Sequence, residues 1–198
     1  MPEKSIQNIA VLASGTGSLF EAMLKEGVPV ALLLTDRPCR ALEIAKGAGV
    51  PFVLVERKSF GEDFDRSAYT KEVLEVLRAH DINLIAMAGF MTVFSEEMFQ
   101  VFGGNIVNTH PSLLPLFKGA HAVKDALEAG VAETGTTIHI ATSDLDAGPI
   151  IAQAKVAVLP GDSVETLHER IKTEERKLYP EVLKDILSEK LALPKFKD

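Results

Sequence analysis

Asn8-Ile9-Ala10-Val11-Leu12-Ala13-Ser14-Gly15-Thr16-Gly17-Ser18 is the stretch that decides the fold. Its first part is short, apolar and β-branched, and it runs straight into a glycine-rich turn. The pattern predicts a strand buried on both faces, then a helix over 19–25 that stops at Gly27. Outward from there, 30–34, 52–55, 84–88 and 105–109 read as further strands. Helical patterns fill the gaps. One covers 38–47, a second covers 65–79 with Tyr69, Val73, Val76 and Leu77 at helical spacing, and a third covers 94–102 with Ser95 as its N-cap. This alternation argues for a parallel sheet with helices on both faces.

The character changes after Ser112. Pro111, Pro115 and Gly119 mark an irregular segment, and a helix follows over 121–129. Two strands, 136–141 and 150–158, lie close enough in sequence to form an antiparallel pair. The stretch 163–187 reads as a long helix with Val164, Leu167, Ile171, Leu178, Val182 and Ile186 along one side. Pro180 is expected to kink or interrupt it. The expected fold is α/β: a mostly parallel twisted sheet of about seven strands, helices on both faces, a Rossmann-like N-terminal half, a late antiparallel pair and a long C-terminal helix. No repeat or linker divides the chain, so 1–198 is read as a single domain with halves at 1–104 and 105–198, and 194–198 is expected to fray.

Composition narrows the function. The chain has 198 residues, 46% hydrophobic and 25% charged, which suits a globular protein with a proper core. A net charge of −7 disfavours non-specific grip on nucleic acid. The single Cys39 excludes an internal disulfide framework and any metal site built from several thiolates. No apolar run approaches the roughly 20 residues a membrane span needs. Met1-Pro2-Glu3-Lys4 does not open a secretory signal. A soluble cytoplasmic protein with no membrane partner is expected.

Three polar stretches carry chemistry. The turn 14–18 sits where a strand meets a helix, and free amides at a helix start suit a phosphate. Phe20 stands where a dinucleotide fingerprint needs its third glycine, and no Gly-Lys-Ser/Thr follows. Asp36, near the end of the second strand, keeps a ribose-binding acid and hence a nucleotide-dependent oxidoreductase open; a plain tight turn is open too. The second stretch is Asn108-Thr109-His110-Pro111-Ser112-Leu113-Leu114-Pro115. Asn108 and His110 are two apart on an extended strand, so they share a face, and Pro111 holds His110 extended. An amide that stabilises an oxyanion beside an imidazole suits acyl transfer. Tying a loop to the sheet would use the same residues.

The third stretch is Asp144-Leu145-Asp146-Ala147-Gly148-Pro149. A carboxylate here near His110 would favour the imidazolium and help take a proton from an attacking amine. An ordinary turn has the same composition, and two carboxylates fall short of a metal site. Thr137 and His139 share one strand face and are candidates for supporting the site. His80, His168, His121 and Cys39 read as structural, and no serine sits in a Gly-x-Ser-x-Gly elbow.

Together with Ala88-Gly89-Phe90-Met91, Gly135-Thr136-Thr137-Ile138-His139 and Leu178-Tyr179-Pro180, these strings make the chain resemble the phosphoribosylglycinamide formyltransferase family, folate-dependent enzymes of purine synthesis, from about Ile9 to Pro180. The length favours that family over relatives that add a tRNA-binding or regulatory domain. The resemblance implies a phosphate-binding first half and a catalytic, folate-binding second half. It implies 10-formyltetrahydrofolate as co-substrate, glycinamide ribonucleotide as acceptor and no metal, and it leaves a homodimer open.

It also implies roles. Asn108, His110 and Asp146 would be catalytic. Gly17, Ser18, Leu19 and Glu175 would hold phosphate and ribose. Arg66, Met91, Thr92, Val93 and Phe94 would contact the folate, with Asn108 and with Thr142, Ser143, Asp144, Leu145 and Asp146. Three positions depart from the family: Leu19 replaces a common Asn, Thr92 replaces a common Arg, and Lys118 replaces a Pro. Lys118, Lys172 and Arg176 are candidate cations for two anionic substrates. A formyl-folate hydrolase on the same core is the nearest competing reading; a binding module with a remodelled site is disfavoured by the presence of all three catalytic candidates.

Overall fold

A computed structural model describes residues 8–59 and 61–194. Strand β1 (Ile9–Ala13) is buried at every position, as a strand covered on both faces must be. The alternation continues through α1 (Ser18–Lys25), β2 (Val30–Thr35), α2 (Arg40–Ala48), β3 (Phe52–Leu54), α3 (Arg66–Ala79), β4 (Leu84–Met87), α4 (Glu96–Phe102) and β5 (Ile106–His110). Then come α5 (Ala122–Glu128), β6 (Glu133–Ile140), β7 (Ile150–Ala157) and α6 (Val164–Leu187).

The seven strands form one sheet in the order β3-β2-β1-β4-β5-β6-β7. Pairs from β3 to β5 are parallel, and β6 and β7 join antiparallel. Side chains alternate between two cores. Ile9, Val11 and Ala13 pack with Phe20, Met23, Tyr179 and Leu183 of α1 and α6. Ala10 and Leu12 pack with Val73, Leu77 and Met98 of α3 and α4. Strand order reverses direction between β1 and β4, so their carboxyl ends open the crevice where sheets of this kind bind ligands.

The expected elements form, with differences that have physical causes. β6 starts at Glu133 rather than at 136, because its first residues continue the ladder from Glu133 opposite Ala157. Ser95 stands at the N-cap of α4, but its hydroxyl makes no cap bond; Asp65 does cap α3, accepting from the Ala68 amide at 2.8 Å. Pro180 does not interrupt α6, which runs from Val164 to Leu187. Tyr179, Val182, Leu183 and Ile186 around it are buried against the sheet, and that packing outweighs one lost backbone bond. Residues 1–4 and 195–198, on which the signal and fraying expectations bear, lie outside the described residues.

Candidate active site

β5 delivers the site. Asn108 and His110 project from the same face, opposite His139 and Thr137 of β6. The Nδ1 of His139 lies 3.0 Å from the Ile140 carbonyl, which can only accept, so that nitrogen carries the proton. The Nε2 of His139 is then free to accept from the Asn108 amide nitrogen at 3.1 Å. Burial lowers the pKa of His139, and the Ile140 bond and the Asp146 charge oppose it less strongly, so the ring stays neutral. The neutral ring fixes which way the Asn108 carboxamide points.

His110 is buried. Its Nδ1 lies 3.3 Å from Asp146 Oδ2 and its Nε2 donates to the Phe117 carbonyl at 2.8 Å. Both contacts are satisfied when both ring nitrogens carry protons. Asp146 also accepts from the Gly119 amide at 2.9 Å, and its Oδ1 lies 3.7 Å from His139 Nε2. Asp146 and Phe117 both sit in the left-handed region, with φ 51° and 53°, where side chains other than glycine rarely go. The two partners of His110 are therefore both held in unusual backbone, as happens at functional sites. The structure thus brings Asn108, His110 and Asp146 together, with His139 between the amide and the carboxylate.

A buried hydroxyl anchors the loop that carries Phe117 and Gly119. Thr137 Oγ1 donates to the Ser112 carbonyl at 2.7 Å and accepts from the Leu114 amide at 3.0 Å and from Gln153 at 2.8 Å. Gln153 of β7 also donates to the Leu114 carbonyl at 2.9 Å. Sequence reasoning missed Gln153. The available signal was its position opposite Thr137 in an antiparallel pair, where side chains share a face.

The glycine turn runs into α1 with Gly17 as its N-cap at φ 69° and no side-chain cap, so the first amides of α1 face outward unpaired by any side chain. Gly15 and Thr16 are exposed. The side chain of Leu19 is buried in the core with Phe20 and Met23, so only its backbone can serve a ligand. Glu175 lies on the opposite sheet face from His110 and accepts from Thr109 at 3.1 Å and Thr136 at 3.3 Å. Burial is the largest influence on it and raises its pKa. Lys172 and Arg176 both reach Glu169, at 3.7 and 2.9 Å. Asp36 does not project as a ribose-binding acid: it is fully buried, and its oxygens are taken by Arg37 and Thr92.

A cleft of about 400 Å3 lies against the loop that carries Asp146, lined by Phe99, Gly103 and Gly104 and by residues 141–144 and 147–149. Ser143, Asp144 and Leu145 are exposed, Leu145 by 61%, while the Thr142 hydroxyl donates to the Asp144 carbonyl. Met91 and Val93 are exposed by 63% and 49%. Between them Thr92 is buried and donates to Asp36 at 2.7 Å. Phe94 is buried and stacks on Phe90 with ring centres 5.3 Å apart. The alternation of the 91–94 segment therefore turns two of its four expected contact side chains inward. Arg66 opens α3 with its side chain in solvent, and the neighbouring Ser67 donates to Glu97 of α4 at 2.6 Å. Among the described residues, no group of three or more His, Cys, Asp or Glu could hold a metal, and no helix is long and apolar enough to cross a membrane.

Residues 7–183 match the family described as formyl transferase. Over 183 residues the chain is 43% identical to a phosphoribosylglycinamide formyltransferase of Mycobacterium tuberculosis, covering 90% of this chain and 84% of that protein. It is 40% identical over 189 residues to one from Bacillus subtilis, covering 92% and 95%. The crystal structure of glycinamide ribonucleotide transformylase 1 from Symbiobacterium toebii superposes with a TM-score of 0.89 at 38% identity, covering 97% of this chain and 92% of that one.

Proposed function

Because the chain belongs to the formyl transferase family, we propose that it carries the formyl group of 10-formyltetrahydrofolate to the amine of 5'-phosphoribosylglycinamide. The products are formylglycinamide ribonucleotide and tetrahydrofolate, in cytoplasmic purine synthesis. The observation that carries the reading is the amide, imidazole and carboxylate gathered at the end of β5, with His110 Nδ1 3.3 Å from Asp146. At about 400 Å3 the neighbouring cleft is large enough for the folate's ring system; Phe99, Ala141, Ala147 and Pro149 give it apolar wall, and Leu145 beside it is apolar and exposed.

When bound, the folate supplies the formyl carbon and leaves with a proton on the nitrogen that carried it. Asn108 gives one amide hydrogen to His139, so its second hydrogen is available to the formyl oxygen as negative charge develops there. Protonated His110 is the second donor, once its Nε2 exchanges the Phe117 carbonyl for substrate. Asp146 balances that charge and receives the amine's proton through water; His110 then protonates the departing nitrogen. The amides of Gly17, Ser18 and Leu19 take the phosphate and Glu175 takes the ribose hydroxyls.

Incubating the protein with both substrates and weighing the ribonucleotide by mass spectrometry tests the reading. Formylated ribonucleotide appearing with tetrahydrofolate supports it. Release of formate at the same rate without the ribonucleotide would make the protein a hydrolase instead.

A further inference from the structure

We propose that Asp36 is a positioning residue that locks the glycine turn to the 89–94 segment, so that the phosphate-holding and folate-facing loops are set as one unit. This rests on the function proposed above and assigns a determinant that lies outside both substrate sites. Asp36 follows the last residue of β2, and its side chain is fully buried. Oδ1 accepts from Arg37 Nε at 3.0 Å. Oδ2 accepts from Arg37 Nη2 at 3.1 Å and from the Thr92 hydroxyl at 2.7 Å. Burial, the largest single influence, pushes the carboxyl up, but the hydrogen bonds from Arg37 and Thr92 outweigh it and hold the group below its usual range.

Ser14, which begins the glycine turn, holds the same segment one residue earlier. Its hydroxyl oxygen accepts from the Met91 amide at 2.8 Å, and its own amide donates to the Gly89 carbonyl at 3.1 Å. Asp36 thus fixes Thr92 and Ser14 fixes the neighbouring Met91, so the end of β2, the 91–94 segment and the residue that begins the glycine turn are tied into one chain of contacts. Both loops leave the carboxyl ends of β1 and β4, the neighbours between which strand order reverses. These contacts make a rigid joint, because the Met91 amide would lose its acceptor if either loop moved alone and the Thr92 hydroxyl would lose its own if the 91–94 segment left β2. The backbone agrees: the Asp36 carbonyl also takes the Arg57 amide at 2.8 Å, so the residue is fixed from both ends. Thr92 has a positive reason to be a threonine here, since its hydroxyl completes the joint.

The consequence is coupling. Ordering one loop on its ligand orders the other, so each ligand makes the second bind more tightly. Titration calorimetry with glycinamide ribonucleotide and tetrahydrofolate measures this, since the pair lacks a formyl group and cannot react. In the wild type each Kd should fall several-fold when the other ligand is saturating. Asp36→Asn should raise both Kd values about tenfold, the scale of losing a charged hydrogen bond. It should also abolish the coupling and leave kcat at saturation within about threefold.

Thr92→Val and Ser14→Ala each remove one arm of the joint without baring a charge, and each should weaken the coupling. They keep the question answerable if Asp36→Asn does not fold. A wild type without coupling, or a folded variant set in which only one ligand's Kd moves, overturns the inference. Absence of formyl transfer by the wild type would sink the proposed function instead, and the titrations still report on Asp36 because they need only binding.

Discussion

Replacing Thr137 by valine keeps the shape of the side chain and deletes one hydroxyl. Thr137 is fully buried, so no water can take over. The Ser112 carbonyl loses its 2.7 Å donor and the Leu114 amide loses its 3.0 Å acceptor. Gln153 keeps the Leu114 carbonyl at 2.9 Å. Two buried backbone groups left unpaired cost roughly 1–3 kcal/mol each, partly offset by the added methyl, giving about 2–4 kcal/mol. At about 2–4 °C per kcal/mol for a chain of this size, Tm should fall by about 5–12 °C in differential scanning calorimetry. Function should suffer beyond stability. The freed segment carries Phe117 and Gly119, which hold His110 and Asp146, so kcat measured well below Tm should drop about tenfold. Thr137→Ser keeps the hydroxyl and should restore most of kcat. A Tm loss under about 2 °C with kcat intact would refute the idea that this hydroxyl anchors the site.

His110→Ala should lower kcat by about 10²–10⁴ while the Kd of glycinamide ribonucleotide changes little, because the proposed mechanism confines its role to the transition state; equal losses in both would remove His110 from the mechanism. Gly17→Ala places a Cβ 2.9 Å from the Ala41 backbone and 3.0 Å from Ile44 at a left-handed φ of 69°. The turn must shift, and the KM for the ribonucleotide should rise at least about tenfold, with the folate KM rising less. Glu175→Gln tests a buried acid. Its folded pKa is raised, mainly by burial, so its stabilising contribution is complete below the ordinary 4.5 and is lost as pH rises through the folded value. The glutamine variant should therefore melt higher than wild type at pH 8 and show no such gain below pH 4, while binding the ribonucleotide more weakly. A lower Tm at pH 8 would contradict the sign.

The sheet was legible because its strands are continuous apolar runs broken by glycine, and because each amphipathic helix repeats at 3.6 residues. Pro180 misled because local propensity knows nothing of the packing of Tyr179, Val182 and Leu183 around it. Asn108 and His110 were legible as a same-face pair, since a strand fixes that relation within three residues. Asp146 was readable from the residues as a carboxylate that could serve His110 or could merely belong to a turn. Its approach to His110 depends on the reach of the 141–149 loop and on a left-handed backbone that no spacing encodes. The inward turn of Leu19, Thr92 and Phe94 was invisible for a related reason. In a loop or a helix's first turn, which side chain meets the core is settled by neighbours distant in sequence. Gln153 became informative only when register was known, and burial turned Asp36 from a candidate ribose-binding acid into an internal anchor.

Two imidazoles share one carboxylate here, and their hydrogen-bonding roles cannot be interchanged. His139 is stripped of water, and the charge of His110 acts in the same direction, so its proton rests on the nitrogen facing Ile140. Its other nitrogen is thereby an acceptor, and the Asn108 amide must present NH2 to it. Were His139 charged, that nitrogen would donate, the carboxamide would rotate, and an oxygen would point where a donor is needed for the formyl oxygen. His110 has the complementary surroundings: a carbonyl on one nitrogen and a carboxylate oxygen on the other, both acceptors. The buried ring thus serves by staying neutral and orienting an amide. In the proposed transfer the ring beside Phe117 is the one that gives a proton to the departing nitrogen. Their backbone partners set the two rings apart, the Phe117 carbonyl on Nε2 of His110 and the Ile140 carbonyl on Nδ1 of His139, while Asp146 lies 3.3 Å from the first ring and 3.7 Å from the second.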